Sequence, residues 1–407
     1  MNSSYPKRLV LISVMIVFCI LMIFVGRKSL RIWQSDTLFE REKIVENFRS
    51  MPLMFDALTI RRSGESLPLG VSPKNLPAYF EFQGKKIGIN DWVRESGTTG
   101  LLVVANDQIA FEEYYQGNTA QTQAIAWSVT KSFMSLLIGI ALKEGAIHSL
   151  QDLVSQYAPV LKNSAYKGVS LEDVLEMSSG VVFDENYSNP KSGINQLSVI
   201  IALGGSVNNW VSGLKLAEAP GRKHNYISID TQVLGMVLKG ATGKGPAEYM
   251  QEKVWSRLGA ECDGKWLTDA YATELAFGGL NLCLRDFSKL GLLYLHNGRN
   301  QAGETIVDER WVRRSITSQK EHLLPGRFQE EGQPSLGYGY QWWIPQGNEG
   351  EFMAIGVYGQ FVYVNPRQRV VIAKNSAYAD YNQNGVLMEY KTLEAFRAIA
   401  REMTSGR

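Results

Sequence analysis

Metal-binding residues are scarce in this chain. Four histidines and three cysteines are spread over 407 residues. His148, His224, His296 and His322 show no ligand spacing to one another or to Cys19, Cys262 and Cys283. Structural and catalytic metal sites draw on closely spaced Cys/His sets, so neither a metal nor any other cofactor is expected, and each histidine reads as a lone surface residue. Cys262 and Cys283 pair only if the fold brings them together, which spacing does not show. An excess of charge is also missing: 42 Lys+Arg against 40 Asp+Glu leave a net +2. Basic residues are dispersed after the N-terminus, so nucleic acid is not an expected partner. No tandem repeat or low-complexity tract is present. With 45% hydrophobic and 20% charged residues the chain has an ordinary globular composition, long enough for one large domain or two smaller ones.

One long apolar run is present, over residues 9–25, bounded by Lys7-Arg8 and Arg27-Lys28. With Gly26 it comes close to the length of a bilayer core. No small-x-small cleavage site follows it, and Phe18 ahead of Cys19 speaks against a lipoprotein site. The run therefore predicts an uncleaved single-pass anchor at 9–26 after a short tail at 1–8. Basic residues flank both ends, so orientation rests on that tail, which places the bulk of the chain on the periplasmic side of the inner membrane. Residues 27–85 read as a juxtamembrane helix and a Pro/Gly/Ser-rich linker, and 86–407 as the compact domain.

Inside that domain the hydrophobic period changes twice. Residues 101–105 and 109–115 alternate as strands around Asn106-Asp107. Helical spacing then runs through 134–142, 150–157, 171–177, 230–238, 247–258 and 285–296. Strand patterns return at 338–344, 352–355, 360–364 and 370–374, and a helix closes the chain at 386–403. Strands at both ends with helices between predict an α+β fold: a mainly antiparallel sheet joining N- and C-terminal strands, flanked by helices, with an inserted helical subdomain.

Ser128-Val129-Thr130-Lys131 opens the most apolar of the helical runs. Residues three apart share a helix face, and a lysine beside a serine hydroxyl can act as the base that makes it a nucleophile. The pattern recurs at Ser4/Lys7, Ser164/Lys167, Ser188/Lys191 and Ser212/Lys215. Only at Ser128 does a buried helix follow directly, with Ser132, Ser135, Gly139 and Ala141 permitting close packing. A serine cap with a solvent-directed lysine is the competing reading.

Two later stretches bear on Ser128. After Pro220-Gly221, Tyr226 and Ser228 stand two apart ahead of a buried helix and point to one side if extended. Tyr226 relays a proton if nearby cations hold its phenolate character; a tyrosine packed on the sheet is the alternative. Gly356 and Gly359 interrupt a strand pattern where another group approaches the backbone. An oxyanion hole needs such bare N–H groups, and a simple bulge or bend accounts for the glycines equally well.

Taken in order, Ser128-Val129-Thr130-Lys131, the 102–115 hairpin, Leu171-Glu172-Asp173-Val174-Leu175-Glu176-Met177-Ser178-Ser179-Gly180, Pro220-Gly221 before Tyr226, and Tyr338-Gly339-Tyr340-Gln341-Trp342-Trp343 resemble the serine β-lactamase-like superfamily. That group includes penicillin-binding D,D-peptidases, class C β-lactamases, family VIII esterases and 6-aminohexanoate-dimer hydrolases. Phe183-Asp184-Glu185-Asn186-Tyr187 and Gly359-Gln360-Phe361-Val362-Tyr363-Val364 look nearest to the last branch. The resemblance implies Ser128 as acylated nucleophile, Lys131 as base, Tyr226 as proton-transfer partner, and the N–H groups of Ser128 and Val357 as oxyanion hole. Ser228, Gly356, Asp184, Tyr187 and Tyr358 are the expected substrate-contacting residues, with core packing the competing reading for the aromatics.

Two departures narrow the expectation. Tyr226-Ile227-Ser228 replaces the tyrosine-x-asparagine of class C enzymes. Ala354-Ile355-Gly356 stands where a Lys-Thr-Gly-like triad belongs, so the lysine that meets an anionic carboxylate is absent. The expected activity is hydrolysis of a small amide or ester through an acyl-enzyme. A β-lactamase or D,D-peptidase acting on envelope peptides is the alternative enzyme, and an envelope-binding module without catalysis the alternative of another class. Oligomeric state is not readable from the sequence.

Overall fold

A computed structural model describes residues 5–404. Of the tail expected at 1–8, residues 1–4 lie outside that range. The largest sheet has eight strands in the order Gly337–Tyr338, Trp343–Ile344, Phe352–Gly356, Gln360–Asn365, Val370–Ser376, Thr98–Ala105, Gln108–Tyr114 and Gly70–Val71. Its described pairings are antiparallel except the last, where Gly70 and Val71 run parallel to Gln108 and Ile109. Val370–Ser376 pairs with Thr98–Ala105, Ile372 facing Val103, so the two ends of the domain meet in the middle of the sheet. Leu101, Leu102, Val103 and Val104 are all buried, the continuous apolar pattern of a strand covered on both faces.

Helix Leu284–Leu295 covers one face, and it does so closely: a Cβ on Gly291 would fall 2.6 Å from Val371 Cγ1. Helices Ile89–Glu95 and Tyr381–Thr404 cover the other, where Trp92, Phe396 and Ile399 pack against Phe361 and Tyr363. Between the two sets of strands lies the helical part. Helix Thr130–Lys143 is buried from Thr130 to Ala141 and packs beside helix Ser228–Thr242. Gly139 admits the Trp311 ring, which a Cβ there would approach to 2.5 Å. Short helices are delimited by caps: Leu171–Leu175 starts on a Ser170/Asp173 capping box.

The strand expected over 338–344 is two short pieces. Gln341 sits between them at φ +63°. Its side chain accepts from Thr231 Oγ1 at 2.7 Å and donates to Leu175 O at 2.9 Å, while its carbonyl accepts from Ser132 Oγ at 2.7 Å. Those bonds tie the sheet edge to the helical part, and they outweigh the strand propensity of the flanking aromatics.

The single-pass anchor, and the inner-membrane placement that rested on it, are corrected. Among the described residues no helix is long and apolar enough to cross a membrane. The uncharged stretch from 9 to 26 amounts to about 27 Å at ~1.5 Å per residue, short of the ~30 Å hydrocarbon core. It belongs to helix Tyr5–Asp36, whose C-terminal end leads into the domain. Leu38, Ile44, Phe48, Met51, Ile60 and Leu69 are buried in the main core, and Ala57–Ile60 pairs antiparallel with Gly264–Leu267. The packed body therefore takes in residues ahead of the expected boundary at Lys86.

Candidate active site

Ser128 lies in the 3-10 turn Trp127–Val129 that feeds helix Thr130–Lys143. Trp127 holds φ +44°, a region costly for a bulky residue, and this sharp entry presents Ser128 at the edge of the helical part. Lys131, one turn on and 1% exposed, places Nζ 2.8 Å from Ser128 Oγ, 3.0 Å from Ser228 Oγ and 2.8 Å from the Phe277 carbonyl. Burial pulls its pKa down to about 7, and the Glu185 carboxylate partly opposes that shift.

Tyr226 stacks on Trp343 at 5.1 Å between ring centroids, with Lys131 Nζ 5.2 Å from its own ring. Burial and then Glu185 push its pKa far above the ordinary value, and a hydrogen bond with Ser128 lowers it only in part. The condition for phenolate character, cations around the ring, is outweighed by burial and Glu185, and the surroundings favour the neutral phenol. Ile227 is extended (φ −138°, ψ 123°), so Tyr226 and Ser228 both face Lys131, Ser228 with its hydroxyl and Tyr226 with its ring.

Strand Phe352–Gly356 ends against Ser128. A Cβ on Gly356 would lie 2.6 Å from Ala126 O and 3.2 Å from Ser128 N, so only glycine lets the two backbones meet. Val357 follows directly and, with Ser128, lines two cavities. One is apolar, about 140 Å³, and takes in Trp127, Phe277 and Tyr358. The other, about 190 Å³, is walled by Tyr226, Trp343 and Tyr381 together with Glu185, Glu330 and Glu389. Tyr187 lines both. Tyr358, at φ +61°, lines the apolar cavity only.

Asp184 is not brought to the site. It is exposed, its carboxylate accepting from Asn186 N at 2.9 Å and Asn189 Nδ2 at 3.0 Å, which shapes the loop. Its neighbour Glu185 takes the inward place. Glu185 accepts from Ser228 N and Tyr187 Oη, both at 2.8 Å, and from Ser228 Oγ. Alternation along the loop was the available signal, since Glu185 shares a side with Tyr187 and Asp184 does not.

Two readings outside the site also change. His224 is not a free surface residue: it packs 4.8 Å from the Tyr338 ring, and burial lowers its pKa to about 4. The fold does bring Cys262 and Cys283 together with Asp286, their ligand atoms within 4.8 Å of one another. Both thiols are free. The Asp286 carboxylate accepts from Glu261 N, Cys262 N and the Cys283 thiol and faces Lys289 at 3.6 Å, so its lone pairs are engaged within the protein.

A serine and a buried lysine at the mouth of a helix, beside a glycine-edged strand in a mainly antiparallel sheet, define a serine hydrolase of the β-lactamase/transpeptidase type. The chain belongs to the Beta-lactamase family, whose model matches residues 89–395. It is 26% identical over 310 residues to the 6-aminohexanoate-dimer hydrolase of Paenarthrobacter ureafaciens, covering 73% of this chain and 79% of that one. A candidate D-alanyl-D-alanine carboxypeptidase of Escherichia coli (strain K12) is 23% identical over 228 residues, covering 46% and 51%. Among solved structures, a candidate 6-aminohexanoate-dimer hydrolase from Bacillus anthracis superposes with a TM-score of 0.78 at 22% identity, over 90% of this chain and 96% of its own, which is likeness of fold.

Proposed function

We propose that the protein hydrolyses a small amide or ester through an acyl-enzyme on Ser128, with Lys131 as base. The supporting observation is the proton inventory around Lys131. A neutral amine has two N–H donors and one lone pair. The Phe277 carbonyl can only accept, and Ser228 Oγ, whose own proton goes to Glu185, accepts as well. The two N–H groups are thereby used, and the lone pair faces the hydroxyl of Ser128 at 2.8 Å.

In this reading Ser128 Oγ attacks the substrate carbonyl as its proton passes to Lys131. The N–H groups of Ser128 and Val357 take the developing oxyanion, helped by the positive end of the helix. As the tetrahedral intermediate collapses, the C–N or C–O bond breaks and the neutral phenol of Tyr226 delivers a proton to the leaving group, replenished from Lys131. Water then attacks the ester on Ser128 by the reverse proton route and frees the acid. Tyr187 and Tyr358 flank the acyl centre, with Ser228 and Gly356 holding its polar and backbone sides.

The Paenarthrobacter relative, named for hydrolysis of a 6-aminohexanoate dimer, supports the amide side of this reading. Against a β-lactam, the cavity beside Tyr226 carries Glu185, Glu330 and Glu389 with no lysine or arginine among its lining residues, an unfavourable place for a carboxylate. A fluorophosphonate probe is expected to label the wild-type protein and not Ser128→Ala, while Lys131→Ala abolishes labelling with the fold retained by circular dichroism. Equal labelling of wild type and Ser128→Ala would remove Ser128 from the mechanism.

A further inference from the structure

We infer that residues 35–55, ahead of the family-matched segment 89–395, build the wall of the pocket that selects the apolar part of the substrate. The inference rests on Ser128 being the acylated residue. The apolar cavity at Ser128 is closed on its outer side by Leu38, Phe39, Met51 and Phe55, none of them in the sheet or in the Ser128 helix. Phe39 stacks on Tyr358 with ring centroids 4.7 Å apart and planes 10° off parallel, and stands 5.9 Å from Trp127. Phe48 meets the same two rings edge-on, each at 5.4 Å. Trp127 and Tyr358 are the immediate neighbours of Ser128 and Val357, so this segment packs directly on the residues that flank the reacting serine.

The pocket so formed is small and partly open. At about 140 Å³ it fits a short alkyl or methylene chain and stops a longer one at the Phe39 ring. Helix Gly193–Ala202 adds Asn195 and Ser198 to the lining, which are uncharged, so a charged terminus placed there finds no counter-ion among the lining residues. The substrate class is therefore an amide or ester with an uncharged apolar chain of a few carbons beside the scissile carbonyl. A methylene too many in such a pocket costs on the order of tenfold in kcat/KM.

The experiment uses the full chain and a p-nitrophenyl ester series from acetate to decanoate, read as the ratio of kcat/KM for octanoate to that for butanoate. Phe39→Ala, at a half-open position (39% exposed), should raise the ratio on the order of tenfold by removing the stop. Ser198→Phe adds bulk to the same cavity lining and should lower it by a similar factor. A ratio is insensitive to a mere loss of folded protein, which scales both esters together. If both variants keep the wild-type ratio while Ser128→Ala is inactive, the wall assignment is overturned and the acyl-enzyme reading stands. If Ser128→Ala turns over the esters like wild type, both are overturned.

Discussion

The pH dependence of acylation follows from Lys131. An ordinary lysine, at 10.5, is neutral at pH 7 in only about one molecule in 3,000, whereas one at about 7 is neutral in about half. Burial thus raises the concentration of usable base by about three orders of magnitude. Because the neutral form is the active one, the acylation rate should fall about tenfold per pH unit well below 7 and level off above it. Glu185 is the group that holds the value up, so Glu185→Gln, which keeps the shape and an acceptor oxygen for Ser228, should move the midpoint of the acid limb downward. The assay is the pre-steady-state burst of p-nitrophenol between pH 5 and 9 for both proteins. Glu389, also lifted to about 7 by burial and lining the second cavity, titrates in the same window, and Glu389→Gln serves as its control by leaving the limb in place. A rate flat from pH 5 to 8, or a midpoint that rises in Glu185→Gln, would refute Lys131 as the base.

The same burial has a stability signature. In the unfolded chain Lys131 stays protonated up to about 10.5, while in the fold it loses its proton at about 7, so between those values the unfolded state binds one proton more and rising pH favours the fold. Relative to Lys131→Met, the wild-type protein should gain about 1.4 kcal/mol per pH unit from pH 7 to 10 in urea denaturation; a constant difference would contradict the shift. Lys374 is a second buried lysine, lowered to about 7 by burial alone, with Ser376 Oγ as its hydrogen-bond partner. Lys374→Met should therefore raise stability at pH 7, by up to about 5 kcal/mol before the lost hydrogen bond is counted, and a fall in the denaturation midpoint would refute this. Gly356→Ala drives a methyl group toward Ala126 O and Ser128 N, and kcat should drop on the order of 10²–10³-fold, the usual cost of a disabled oxyanion donor. Retained kcat in that variant would separate the strand from the oxyanion site. Nitrocefin should be turned over far more slowly than p-nitrophenyl butanoate, given the carboxylates around Tyr226, and comparable kcat/KM values would contradict that electrostatic reading.

Elements whose stability is local or whose pattern is continuous were legible in the sequence. The strands near 101–105, 360–364 and 370–374 carry nearly continuous apolar runs, and the Ser128 helix has apolar or small residues on every face from Phe133 to Leu142, so burial could be read from the residues alone. Three features were hidden because they are set by distant partners. Gln341 breaks a strand pattern to satisfy bonds to Ser132, Thr231 and Leu175. Glu185 gains its role only when the loop folds it onto Ser228. Residues 27–85 read as a juxtamembrane helix and linker because charged residues and prolines break up the apolar ones, and although Phe48 stood at a possible buried position, the core that Phe48, Met51 and Ile60 join is built by distant residues.

The anchor was misread, and the Ser128–Lys131 contact was legible, for one underlying reason. Hydropathy over residues 9–26 is a property of composition, and composition does not say what a helix does; length decides that, and the run falls short of a bilayer. The Ser128–Lys131 pair, by contrast, is a relation between positions that a helix enforces, and the fold had only to bury it. In the proposed mechanism burial converts the pair into chemistry: the same desolvation that lowers the Lys131 pKa to about 7 raises that of Tyr226, which would set a base and an acid on either side of one hydroxyl. Neither half works exposed to water. On that proposal the aromatic cover from Phe39 and Phe48, which packs on Trp127 and Tyr358, serves the acid–base pair as well as the pocket, and opening it to solvent should raise the Lys131 midpoint along with the chain length accepted.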